Sequence, residues 1–82
     1  MDTRDFYVCL DARPSNVSLL RRLANDHLKT AGIAWSTAQK TQTTAVRAFA
    51  EAVNRCYPNE KVQIEVGIQH HPDTSVAVCE RK

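Results

Sequence analysis

Glycine is nearly absent, with two in 82 residues, and no GxG loop occurs anywhere in the chain. Without such loops the sequence has neither a phosphate cradle nor the glycine elbow that presents a nucleophile. Cysteine is scarce and odd in number: Cys9, Cys56 and Cys79 are widely spaced. They form neither a disulfide framework nor a CxxC metal knuckle, so reduced thiols are expected. No apolar run approaches the roughly 20 residues of a membrane span, and the opening MDTRDFYVCL is acidic, without a signal-peptide core. A cytoplasmic protein is expected. The formal net charge of +2 is too small to imply a nucleic-acid partner by itself.

What is present is the composition of a folded domain, 43% hydrophobic and 24% charged. Repeats, linkers and low-complexity stretches are missing, so residues 1–82 read as one domain. At this size one core gives only a few kcal/mol of net stability, and a homodimer would be an unsurprising supplement.

Ser36 to Tyr57 organises the rest. Ala45, Val46, Phe49, Val53, Cys56 and Tyr57 make one apolar stripe at a period near 3.6. Lys40, Thr44, Arg47, Glu51 and Arg55 make the opposite stripe, where Arg47/Glu51 and Glu51/Arg55 are i,i+4 pairs worth a few tenths of a kcal/mol each. Ser36 and Gln39 have the spacing of a capping box, which predicts the helix start.

Before this helix, Asp5 to Ala12 alternates Phe6, Val8 and Leu10 against Tyr7, Cys9 and Asp11, as a strand does. Arg13-Pro14-Ser15-Asn16 predicts a turn. A first helix from about Asn16 to Ala31 then carries Leu20, Leu23, Ala24, His27, Leu28 and Ala31 on one side, and Gly32 stops it. Arg21, Arg22, Asn25 and Lys29 cover its outer side. Ile33, Ala34 and Trp35 are expected to tuck beneath the second helix as a plug for the core edge.

Pro58 ends the second helix. Lys61 to Gln69 alternates Val62, Ile64, Val66 and Ile68 with Lys61, Gln63, Glu65 and Gly67, a half-buried strand. His70 to Thr74 predicts a hairpin connection, and Ser75 to Glu80 a returning strand with Val76 and Val78 inward. The order β-α-α-β-β predicts a small α+β domain, two helices packed on one face of a three-stranded, partly antiparallel sheet. Its other face would carry Tyr7, Cys9, Gln63, Glu65, Ala77 and Cys79, suited to a partner or a second copy of the chain.

This order of elements resembles the front half of the GHKL ATP-binding domain, in the form found in the serine-kinase anti-sigma factors of bacteria. The likeness runs through RPSNVSLLRRLANDHLKTAGI, AVRAFAEAVNRCYP, KVQIEVGIQ and SVAVCE. The family's second helix carries a motif of the form AVxEAVxNAxxH, whose Glu is a base and whose Asn holds magnesium. Laid on Ala45-Val46, the resemblance puts Ala48 at the Glu, Ala52 at the Asn and Cys56 at the His. Aligned on Glu51, it puts Arg55 where the Asn belongs, with Asn54 one residue early and about 100° around the helix. Glu80 falls near the family's adenine-reading Asp. The resemblance thus implies a shared fold with a degenerate nucleotide site.

Other chemistry is thinly supported. His70-His71 on an extended segment point in opposite directions, with no cysteine at a knuckle's spacing. A nucleophile pair of Cys9, Cys56 or Cys79 with His27 has no orienting residue or oxyanion loop beside it. The sequence is therefore read as a non-catalytic protein-binding regulator or inhibitor, without metal or cofactor, that masks a surface of a macromolecular partner. Tyr7, Cys9, Arg47, Glu51 and Arg55 are its expected contacts. The alternatives are the degenerate nucleotide-binding domain and a nucleic-acid-binding regulator using Arg21, Arg22, Lys29 and Lys40, although Asp26 and Glu51 interrupt those basic stripes.

Overall fold

The structure of the chain, a computed structural model, describes residues 6–69 and 74–81. It runs β1 (Phe6–Asp11), α1 (Asn16–Thr30), α2 (Trp35–Cys56), β2 (Gln63–Gln69) and β3 (Ser75–Arg81). The sheet order is β1-β2-β3 and both pairings are antiparallel. The helices pack together on one face, α1 over β1 and α2 over β2 and β3. This is the small α+β architecture that the alternation patterns predict.

Strand register places the inward rows as Phe6–Ile68–Val76, Val8–Val66–Val78 and Leu10–Ile64–Glu80. The middle strand is covered on its inner face by helices and on both edges by neighbours, so Ile64, Val66 and Ile68 are fully buried. Leu20, Ala24 and Leu28 of α1 and Ala45, Phe49, Ala52 and Val53 of α2 complete the core. Phe49 is the largest fully buried side chain, worth about 1.5–3 kcal/mol in transfer free energy alone.

Local chemistry fixes the bends. The Asn16 side-chain amide donates to the Asp11 carbonyl at 2.9 Å, joining the start of α1 to the end of β1. At the other end of α1, Gly32 adopts φ +74°; its N–H donates to Lys29 O and the Ile33 N–H to Leu28 O, both at 3.1 Å. This double bond pattern is the Schellman motif, which satisfies carbonyls left over by the helix and needs a residue tolerant of positive φ. Ile33 then packs against the core, as a residue at that position in the motif should.

Four local expectations are corrected. The second helix begins at Trp35, one residue before Ser36, with Ala34 as N-cap and no side-chain cap. The chain reverses early because Gly32 and Ile33 already anchor it. Trp35 is consequently not a plug: although it shares the helical phase of Val46 and Val53, it stands on the first turn of α2, six residues before Thr41, the first buried residue of that helix, and is 77% exposed. Tyr57 leaves the helix with ψ 137° and is 67% exposed, so the buried stripe gains Thr41 and Ala52 instead. Arg55 pairs with Glu80 on β3 rather than with Glu51.

The strands differ slightly at their ends. Ala12 lies beyond β1, though its N–H still donates to the Val62 carbonyl at 2.8 Å, and β3 extends one residue past Glu80. The expected hairpin connection at His70, His71, Pro72 and Asp73, like Asp5, lies outside the described residues.

Candidate functional site

Two surfaces carry chemistry, one on each side of the molecule. The outer face of the sheet is uncovered by any described element. Its rows are Tyr7–Gly67–Ala77, Cys9–Glu65–Cys79 and Asp11–Gln63–Arg81. Tyr7 stands 64% exposed beside Gly67, with no large neighbour in its own row. Glu65 is the hub: Tyr7 hydrogen-bonds to it diagonally, and Arg81 Nη1 donates to its Oε2 at 2.6 Å. Around the rim, Cys9 Sγ donates to Gln63 Oε1 at 3.5 Å, and Gln63 Nε2 to Asp11 Oδ1 at 3.4 Å.

Desolvation of the phenol, followed by the hydrogen bond and negative charge of Glu65, raises the Tyr7 pKa above its ordinary 10.0. Arg81 acts in the opposite sense. At neutral pH the face therefore presents a neutral phenol beside a carboxylate that is ion-paired with Arg81.

The other surface is the outside of the helix layer. Arg21, Gln39, Gln42, Thr43, Val46 and Arg47 line a groove of about 420 Å³ between α1 and α2. Gln39 and Thr43 continue into a second depression with Lys40 and Thr44. Lys40 and Thr44 lead on to a third, where Thr37, Thr41, Thr74, Ser75 and Val76 form the walls above β3. The three share walls in sequence and so form one polar track across the first half of α2. Among the described residues, no carboxylate lines any of them.

Charge is divided between the layers. The helices carry Arg21, Arg22, Lys29, Lys40, Arg47 and Arg55 against Asp26 and Glu51. The strands carry Arg81 against Asp11, Glu65 and Glu80. The modest overall charge thus hides a basic layer on top of an acidic one.

The expected contact residues are accordingly split. Tyr7 and Cys9 share the open sheet face, whereas Arg47, Glu51 and Arg55 lie on the exposed side of α2, across the core. Arg55 is engaged by Glu80, both of its contacting nitrogens lying within 3 Å of Oε2. Of the basic set, Arg21 and Lys40 line the track, while Arg22 and Lys29 are exposed on α1 outside it. Sequence reasoning missed Glu65 as hub and the Gln39, Gln42, Thr43 and Thr44 walls. The available signal for the walls was the lack of any Asp or Glu from His27 to Ala50.

His27 packs against Phe6 with the rings tilted by 42° and their centroids 5.2 Å apart. Cys9, Cys56 and Cys79 are free thiols, and no three His, Cys, Asp or Glu side chains converge as a metal site among the described residues. At the GHKL motif positions, Ala52 is fully buried and Ala48 and Cys56 are half-buried. Among the described residues, no helix is long and apolar enough to cross a membrane. Comparison with protein-family models, curated proteins and solved structures finds no match to the chain.

Proposed function

We propose that this chain is a small non-catalytic module that binds another protein on its open sheet face and regulates or inhibits that partner by masking a surface. The observation that carries this reading is Tyr7, an exposed aromatic tethered through Glu65 on a face that no described element covers. Tyrosine and arginine are the residue types that dominate interface energetics, because each offers a large contact area with a polar tip. Tethering removes part of the rotamer entropy that docking would otherwise cost. Cys9, one row along, adds a small soft surface beside the ring.

The test is capture from a nuclease-treated lysate of the source cell on immobilised protein, run in parallel with Tyr7→Ala and Arg47→Gln variants. A stoichiometric protein retained by the Arg47→Gln variant and lost by Tyr7→Ala is the expected result. Undiminished capture by Tyr7→Ala would end the assignment to the sheet face.

A further inference from the structure

We propose that the polar track on the helix layer binds single-stranded nucleic acid, its phosphates held by Arg21, Arg47 and Lys40 and a base stacked on Trp35. This site lies on the side opposite Tyr7 and does not depend on the sheet-face reading.

Three independent observations converge on it. First, among the described residues the track has cations and neutral hydrogen-bonding groups in its walls and no carboxylate, although two of the eight charged side chains on the helices are acidic. Arg21, Arg47 and Lys40 have no ion pair among the described residues, in contrast to Arg13, Arg55 and Arg81, which pair with Glu60, Glu80 and Glu65. Three cations without counter-ions along one channel suit a chain of negative charges better than a single anion. Second, the lining hydroxyls and amides of Gln39, Gln42, Thr37, Thr43 and Thr44 donate and accept, as needed for sugar and phosphate oxygens.

Third, Trp35 stands on the stripe of Gln39, Gln42 and Val46, one turn before the groove, with its indole 77% exposed. An exposed aromatic at the end of a basic groove is the platform on which an unpaired base stacks, worth about 1–3 kcal/mol per base and tolerant of sequence. A duplex, with its bases already stacked, gains nothing from it. The occupant is therefore single-stranded.

Trp35 is the only tryptophan in the chain, so its emission reports on the site directly. The experiment titrates the full chain with an oligothymidylate of about ten nucleotides, a length within the span of known single-strand sites. Saturable quenching is expected, with affinity falling on the order of tenfold between about 50 and 200 mM salt and a log–log slope near −2 for three released counter-ions. The Arg21→Gln/Arg47→Gln double variant should lower the slope to about −0.7. Trp35→Ala, followed by anisotropy of a labelled oligonucleotide, should weaken binding at least about fivefold and leave the slope unchanged. Arg81→Gln, on the opposite face, should change neither.

These substituted side chains are all exposed, and circular dichroism confirms that each variant is folded before comparison. Absence of binding at about 50 mM salt, unaltered binding by the double variant, or equal affinity for a duplex would overturn the proposal. Displacement by polyglutamate of matched charge would overturn it in favour of an acidic protein partner.

Discussion

Arg55 on the last turn of α2 reaches Glu80 on β3 with two nitrogens, Nε at 2.9 Å and an Nη at 2.8 Å from the same Oε2. Glu80 ends the inward-facing row Leu10–Ile64–Glu80, so this pair closes the core where the apolar alternation of β3 runs out. Its groups are partly solvated, with side-chain exposures of 61% and 26%, so screening keeps its contribution small. A double-mutant cycle with Arg55→Ala and Glu80→Ala should give a coupling of about 0.2–1 kcal/mol, diminishing with added salt. A coupling of zero at low salt would show that the pair only decorates the edge.

Tyr7 provides a pH signature. Its folded pKa is raised above 10.0, so the native state keeps a proton that the unfolded state releases. The associated stability is fully present below pH 10 and lost as pH rises through the folded value. Thermal unfolding of wild type and Tyr7→Phe, followed from neutral pH upward, should show the wild type losing stability faster in that alkaline window. Parallel curves would refute the link between the phenol and Glu65.

Gly32→Ala should destabilise the domain by about 1–2 kcal/mol through the left-handed backbone at this position. Nothing lies within 4 Å of a Cβ placed there, so crowding contributes nothing to that loss. Gly32→Asn should be milder, since asparagine tolerates positive φ better than alanine does. Urea midpoints rank the three proteins, and an alanine variant as stable as wild type would contradict the conformation at φ +74°.

Core substitutions should separate by the cavity they leave. Phe49→Ala should cost about 3–5 kcal/mol, a large fraction of the stability of a domain this small, and Ile64→Val about 0.5–1.5 kcal/mol. Both positions are fully buried, so equilibrium denaturation of the two variants compares them directly.

The sequence made the framework readable wherever burial and periodicity coincide. Ile64, Val66 and Ile68 alternate because one face of β2 is packed and the other open, and Leu20, Ala24 and Leu28 repeat because one side of α1 is packed. The ends were less legible because capping competes with anchoring. Ser36 has the chemistry of an N-cap, yet the Gly32–Ile33 reversal starts the helix before the serine is reached. Trp35 misled for a related reason: a large apolar residue in phase with Val46 and Val53 suggests a core plug, but the buried part of α2 begins only at Thr41, so the first turn overhangs the core.

For the sites, individual residues were visible but their grouping was not. Tyr7 and Arg47 both read as exposed contact residues; placing them on opposite sides of the core requires knowing how the layers stack. Glu65 became a hub only once antiparallel register set it diagonal to Tyr7 and within reach of Arg81.

The central position of β2 also fixes how the sheet must be assembled in time. Gln69 pairs with Ser75 across a short connection, whereas Phe6 pairs with Ile68 across the entire helical pair. Closing the first ladder costs little chain entropy; closing the second requires both helices to be in place or to form as it closes. The amides of β2 that face β3 should therefore gain protection in pulsed hydrogen exchange before those that face β1. The segment Phe6–Asp11 is thus the latch of the domain, the strand expected to close the sheet last.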